Sequence, residues 1–377
     1  MSGSPCKPYQ FIHFLAIDRP LDKKQLAYMR QQSSRAEITE WEFTNEYHFG
    51  DFRGNAEEML RRGYDVHLHY ANFGIRRLMF RLPGGLPCDR KLFEAFQPDD
   101  GVAWHADKKG PGGILEINPE GDADSFDELF EVEGLLNEIA PIRDMLMAGD
   151  LRPLYLAWLA CPTEDEALEP PVPAGLGEKN GPLEEMAAFY DIHQDLIAAA
   201  AEQSPPLSKT IDAGAATKGW IAQQSPDDLR ELVERLLAGN ERAIRAEILA
   251  RVRAEAPAVG WPTAEPTRTL GQLRQLAAGV GSRRVAREKK AVEAARQKRL
   301  KKIAADPDKL VAEVRKLVKL RSTSEYERAA RELADLREAL GPEAGPPRAR
   351  AVAEELRRAN PTLKLLVAAL RKQGLLG

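Results

Sequence analysis

The 377-residue sequence predicts an α+β N-terminal domain with a mixed sheet, ferredoxin-like or a similar split arrangement, followed by all-α helical regions. Three observations carry that expectation. Up to about residue 120, short runs rich in aromatic and β-branched residues are interleaved with short helical patterns, as in a sheet with crossing helices. Beyond Asp122, apolar residues recur every three or four positions. Charge is also divided: residues 101–200 carry a net −16 and residues 251–377 a net +14, within a total of −4.

The elements follow in order. YQFIHFLAID over 9–18 reads as a buried strand, and Asp22 to Ser33 as a helix with Leu26, Met29 and Arg30 at helical spacing. ITEWEFTNEYHF over 38–49 alternates as a strand does. Asn55 can cap a short helix that Gly63 closes. Tyr64 to Asn72 is a strand, Phe73-Gly74 a turn, and IRRLMFRLP over 75–83 a further strand. A short helix near Arg90–Phe96 precedes GVAWHAD and GILEINPE, two strands joined by a KKGPGG loop.

Phe126, Leu129, Phe130, Val132, Leu135, Leu136 and Ile139 then mark a helix, and LRPLYLAWLA marks another. Ser225-Pro226-Asp227-Asp228 starts a capped helix, and NERAIRAEILARVRAE follows it. Thr269 to Ala305 reads as mostly helical, with an early break at Gly279 and Gly281. Asp306-Pro307 starts the next helix, Ser322 to Leu340 forms another that GPEAGPP ends, and two short helices close the chain. The implied organisation is an α+β domain with trailing helices over 1–160 and a Pro-rich acidic linker over 161–182. A helical region over 183–258, a second linker over 259–268 and a basic helical domain over 269–377 follow.

Composition narrows the class. Charged residues make up 30 % and hydrophobic residues 43 %, a globular balance. No apolar run approaches the roughly 18 residues of a membrane span, and no secretory signal pattern opens the chain. Cys6, Cys88 and Cys161 are odd in number and widely spaced, which fits a reducing compartment and neither a disulfide framework nor a cysteine zinc site. A cytoplasmic protein without a membrane association is expected.

The sharpest local pattern is Asp65-Val66-His67-Leu68-His69. On a strand these three polar side chains share one face, a way to offer two imidazoles and a carboxylate to a metal, with His48, Asp51 and His105 as further candidates. A metal-dependent hydrolase is the functional reading; a polar strand face over a core of Val66, Leu68 and Tyr70 is the plainer one. Asp122-Ala123-Asp124-Ser125-Phe126-Asp127 begins like a calcium loop but lacks its fifth ligand and sixth-position glycine, so acidic helix capping suits it better. Gly175, Gly177 and Gly181 have the wrong spacing for a dinucleotide fingerprint. No Walker A, GxSxG or HExxH pattern occurs, and no cofactor is expected.

The strongest physical signal is RRVAREKKAVEAARQKRLKK over 283–302, with ten basic residues against two acidic. At about 100° per residue, Arg283, Arg287, Lys290, Lys298 and Lys301 share a stripe, and Arg284, Arg299 and Lys302 complete the candidate binding set on the same helix. Val285, Val292 and Ile303 lie on another face. Such a stripe can neutralise phosphates or dock an acidic protein surface; no aromatic residues are interleaved for base stacking.

KPYQFIHFLAIDRPL, SSRAEIT, NEYHFGDFRGN and ANFGIRRLMFRLP resemble an uncharacterised bacterial protein family found in gene clusters that also encode SWIM zinc-finger proteins. The resemblance covers residues 7–85. KLVKLRSTSEYERAARELADLREAL and LRRANPTLKLLVAALRKQGLL are similar in style to the tails of those zinc-finger proteins, although this chain lacks the CxC…CxH ligands. The resemblance implies association with partner proteins and carries over no catalytic residue. Three functions are expected in order: a non-enzymatic adaptor with protein partners, a nucleic-acid-associated protein using the basic helix, and a metal-dependent hydrolase.

Overall fold

A computed structural model describes residues 8–97, 101–119, 132–161, 164–178, 180–207, 213–237 and 261–377, with positions 244, 248 and 251. The chain divides into two compact units, 1–280 and 281–377.

The first unit is built on seven strands: β1 (Gln10–Leu15), β2 (Glu37–Ile38), β3 (Glu42–Tyr47), β4 (Val66–Ala71), β5 (Ile75–Leu82), β6 (Val102–Ala106) and β7 (Gly113–Ile117). They form one sheet in the order β2-β3-β1-β4-β5-β7-β6. The α+β expectation stands, but every neighbouring pair is antiparallel, so the sheet is not mixed. The reason lies in β1. It sits between β3 and β4 and opposes both, so β3 and β4 run the same way without touching. The crossover between them, through α2 (Ala56–Arg62), therefore spans one intervening strand, which is the split β-α-β arrangement.

Local chemistry sets the helix boundaries. Asp22 and Gln25 close a reciprocal capping box at the start of α1 (Lys23–Gln32). Asn55 accepts the Glu58 N–H at 2.9 Å, opening α2, and Asp89 does the same for Leu92 in α3 (Arg90–Ala95). The single strand expected over 38–49 is broken into β2 and β3, because Thr39 Oγ1 takes the N–H groups of Trp41 and Glu42 in a tight turn.

Alternation gives the sheet two buried faces. Ile12, Phe14, Phe43 and Met79 meet Met29 of α1 and Met59 and Leu60 of α2. Phe11, Leu68, Tyr70, Leu78, Phe80, Leu115 and Ile117 face a larger core. That core is closed by α4 (Leu135–Ile139), α5 (Pro141–Met147) and α6 (Arg152–Ala160), followed by α7 (Gly181–Phe189) and α8 (Gln194–Ala201). The expected apolar positions Phe126, Leu129 and Phe130, and the aspartates from Asp122 to Asp127, lie outside the described residues.

Both segments read as linkers are packed. Val172 and Ala174 are fully buried, and β8 (Val172–Pro173) pairs with β9 (Thr263–Ala264). Trp261 donates its indole N–H to the Ala174 carbonyl. Arg268 forks onto Glu169 at 2.7 and 2.8 Å, and Tyr155 bonds the same carboxylate. Proline-rich backbone without helical hydrogen bonds is thus tied down by side chains about a hundred positions apart. Residues 183–201 share the core of the sheet and do not form a separate helical region. Further along, α9 (Ala213–Gln223) and α10 (Pro226–Leu237) contribute Trp220 and Leu232 to a small cluster with Ile244. Ser225 caps α10 through the Asp228 N–H. Most of the helix expected over 240–255 lies outside the described residues.

The helix α11 (Leu270–Ala305) runs unbroken through Gly279 and Gly281, and the unit boundary falls inside it. Glycine costs a helix about 1 kcal/mol relative to alanine but does not forbid it. The second unit continues with α12 (Pro307–Lys319), α13 (Thr323–Ala339), α14 (Gly341–Ala359) and α15 (Lys364–Lys372). Val314, Val318, Leu333, Leu336, Val352, Leu356, Leu366 and Leu370 form its core. The helix α13 ends at Ala339, just before GPEAGPP as expected, and that stretch itself forms the first turns of α14, with Pro342 in the first turn.

Gly345 shows why that stretch is specific. A β-carbon there would lie 1.8 Å from the Arg337 carbonyl oxygen, so α14 approaches α13 backbone to side-chain-free backbone. Gly345→Ala is expected to lower the stability of the 281–377 unit by about 1–3 kcal/mol through overpacking. A urea melt followed by helical circular dichroism reads this; an unchanged midpoint would show that the helices separate without cost.

Candidate functional site

The polar residues of interest lie on the face of the sheet that α1 and α2 cover only in part. Register places them. His69 stands directly across from Arg77, and His67 across from Met79, in the β4–β5 hairpin. Ile12 and Phe14 of β1 flank the two histidines on the other side. With the segment leading into α2, these strands enclose a cleft of about 440 Å³, lined by Phe52, Arg53, Asn55, Glu57, His67, His69 and Arg77.

Hydrogen bonds fix the imidazoles. His67 Nδ1 lies 3.0 Å from the His13 carbonyl, which can only accept, so Nδ1 carries the proton and Nε2 is a bare lone pair. Nε2 is buried without a hydrogen-bond partner, and the ring stacks on Phe14 at 3.9 Å between centroids. His69 Nε2 lies 3.0 Å from Gln10 Oε1. The Gln10 amide nitrogen donates to Asp51 Oδ1 at 2.8 Å and to the Gly50 carbonyl at 3.2 Å, which aims its oxygen at His69. His69 therefore holds its proton on Nε2 and leaves Nδ1 bare.

Both rings are neutral. Burial pushes His67 well below the ordinary imidazole range, and His69 and Arg77 push the same way. Burial, helped by the Arg77 charge, lowers His69 to about 4. Arg77 itself pairs through Nε with Glu116 at 2.6 Å, and Glu116 also meets His105 Nε2 at 2.6 Å. The network continues through Glu57 and Arg61 to Asp107 and Arg81.

The expected metal-binding set is not assembled. Asp65 stands at the end of β4 and spends its carboxylate elsewhere: Oδ2 accepts the Ile17 and Asp18 N–H groups, and Oδ1 faces Arg143 at 3.1 Å. His48 lies beside Glu46, Asp51 on Gln10 and His105 on Glu116. Among the described residues no three histidine, cysteine or acidic groups gather as metal ligands. Arg53, Arg77 and Glu116 were missed by reading the sequence alone. The hairpin turn at Phe73-Gly74 holds the signal for Arg77: positions equidistant from Phe73 pair, which sets 69 against 77.

The basic helix is a second, separate candidate. Residues 285–299 of α11 are exposed on every side. Arg284 pairs with Glu288, and Arg299 with Glu332 and Asp335, while Arg283 also has a partner. Among the described residues no carboxylate lies within ion-pair distance of Arg287, Lys290, Lys298, Lys301 or Lys302. The structure thus divides the expected set into paired and unpaired cations. Val285 and Val292 lie opposite the stripe, 40 % and 70 % exposed.

No helix among the described residues is long and apolar enough to cross a membrane. No protein-family model matches the chain, and neither does a curated protein sequence or a solved structure.

Proposed function

We propose that this protein is a non-enzymatic adaptor in a bacterial multiprotein system, and that α11 is the element it offers to an acidic protein partner. One observation carries the reading: α11 is exposed over 285–299, and among the described residues Arg287, Lys290, Lys298, Lys301 and Lys302 have no ion-pair partner. A helix that is polar on every side buries little of its own surface, so its stability does not explain its composition. Unpaired cations along one stripe suit a partner that supplies carboxylates, and the exposed valines on the opposite face add apolar contact for a protein surface. The resemblance over residues 7–85 points the same way, toward association with other proteins.

A second reading, association with nucleic acid, is favoured by the geometry of the stripe. Arg283 to Lys301 spans about 27 Å at 1.5 Å per residue, enough to follow several phosphates. The test separates the two. The full chain, stripped of nucleic acid, is passed over poly-glutamate and heparin resins and mixed with duplex DNA and with RNA at two salt concentrations. The adaptor reading expects retention on poly-glutamate that R287E/K290E abolishes, with no gel shift. A salt-sensitive shift lost in the same variant would replace it with the nucleic-acid reading. No retention and no shift at low salt would overturn both.

A further inference from the structure

We propose that the cleft on the sheet face is a binding site for a small oxyanion that also carries a hydroxyl group, such as a hydroxylated carboxylate or phosphate ester. This site is separate from α11 and does not depend on what that helix binds.

The cleft presents two kinds of group that the fold leaves unused. The first is cationic. Arg77 Nε lies 2.6 Å from a Glu116 carboxylate oxygen without an aligned hydrogen bond, and the two Nη groups of its planar fork make no hydrogen bond to any described residue. Arg53 stands exposed at the rim without an acidic partner among the described residues. Glu57, the acid lining the cleft, is committed to Arg61 at 2.7 Å.

The second kind is an acceptor that needs a donor. His67 is 1 % exposed and its Nδ1 is tied to backbone, so Nε2 is the nitrogen it has left for the cleft it lines. A buried acceptor without a partner is costly, and one that lines a cleft is placed to take a proton from a bound donor. An imidazole with its other nitrogen fixed on a carbonyl cannot donate from Nε2 without becoming charged, and burial beside Arg77 opposes that charge. The complementary group is therefore a hydroxyl or N–H donor. Arg77 stands across from His69, two residues along the strand from Met79 opposite His67, so donor and anion would sit on neighbouring parts of one small molecule. The volume suits a ligand of that size.

The test uses the full chain labelled with 15N at histidine, and follows the His67 ring resonances while glycerol 3-phosphate, glycerate, sulfate or glycerol is added. Sulfate offers charge without a donor at neutral pH, and glycerol offers donors without charge. The expected result is a saturable shift of His67 Nε2 with glycerol 3-phosphate or glycerate, whichever headgroup the site prefers, and at least about tenfold weaker binding of sulfate and glycerol. Arg77→Gln, and the exposed and structurally safe Arg53→Gln, should each weaken the favoured probe several-fold while the remaining spectrum stays native. No saturable shift with either hydroxylated anion would overturn the proposal. So would a shift indifferent to both arginine substitutions, or a response to zinc alone.

Discussion

Arg143→Leu is expected to destabilise the first unit by about 3–5 kcal/mol, the cost of leaving a buried charge without its partner. The guanidinium is wholly buried on α5 and makes four contacts. It forks onto Asp18 at 2.9 and 2.5 Å, meets Asp65 at 3.1 Å, and donates to the Arg81 carbonyl at 2.7 Å. Burial alone would lower the Arg143 pKa, but Asp18 and Asp65 more than reverse it, so the group is a firm cation. Asp18 is partly exposed and can turn to water; Asp65 cannot. Burial already holds the Asp65 carboxyl above the usual carboxylate range against the pull of Arg143. Without that cation it faces only the Ile17 and Asp18 N–H donors. Urea midpoints for Arg143→Leu, Asp65→Asn and the double variant check this. The double variant should lose clearly less than the sum of the singles, because removing both partners leaves no orphan charge. Additive losses would mean that the two side chains act independently. Arg143→Lys should recover little, since an ammonium cannot reach Asp18, Asp65 and a carbonyl together.

Much of this architecture can be read from local sequence. Strands over 10–15, 66–71, 75–82, 102–106 and 113–117 follow from alternation and turn residues. Asp22, Asn55, Ser225 and Asp306 mark helix starts where their side chains take backbone N–H groups. What escapes is what long-range pairing decides. No local feature of β1 says that it lies between β3 and β4, and that placement makes every ladder antiparallel. The segment 164–178 has the composition of a linker, yet Glu169 is buried because Arg268 and Tyr155 reach it across the fold. No helix is expected over 141–147, yet α5 forms there with Pro141 in its first turn.

The candidate sites divide along the same line. The cationic stripe of α11 is a property of one helix, so spacing alone locates it, while only the structure shows that Arg299 is paired with Glu332 and Asp335. The HxH pattern also locates two residues of the cleft correctly. It misjudges their chemistry, because tautomer and burial depend on the His13 carbonyl and Gln10, more than fifty positions away. Asp65 shares their strand face in the sequence pattern but turns to Arg143 at the strand end.

Acidification should destabilise the first unit through these histidines, well before most carboxylates titrate. In the unfolded chain both imidazoles have pKa values near 6.5. In the fold, burial lowers His69 to about 4 and holds His67 well below the ordinary imidazole range. Burial also lowers His13, although Glu42 at 2.7 Å pulls against it. Between those values the unfolded state binds more protons, so stability rises with pH. The contribution is complete above about pH 7 and is lost as pH falls below 6.5 toward 4. At about 1.4 kcal/mol per pKa unit, His69 alone accounts for about 3 kcal/mol by pH 4, and His67 adds to the loss in the same direction. Asp65, raised by burial, works in the opposite direction, so the comparison is made between wild type and H67F/H69Q, in which its effect cancels. Phenylalanine keeps the stacking on Phe14, and glutamine keeps a donor for Gln10. Urea midpoints at pH 7.5, 6 and 5 should fall steeply for the wild type and much less for the variant. Parallel curves between pH 7 and 5 would show that His67 and His69 take up protons in the fold as readily as in the unfolded chain, and the bare nitrogens of the cleft would go with them.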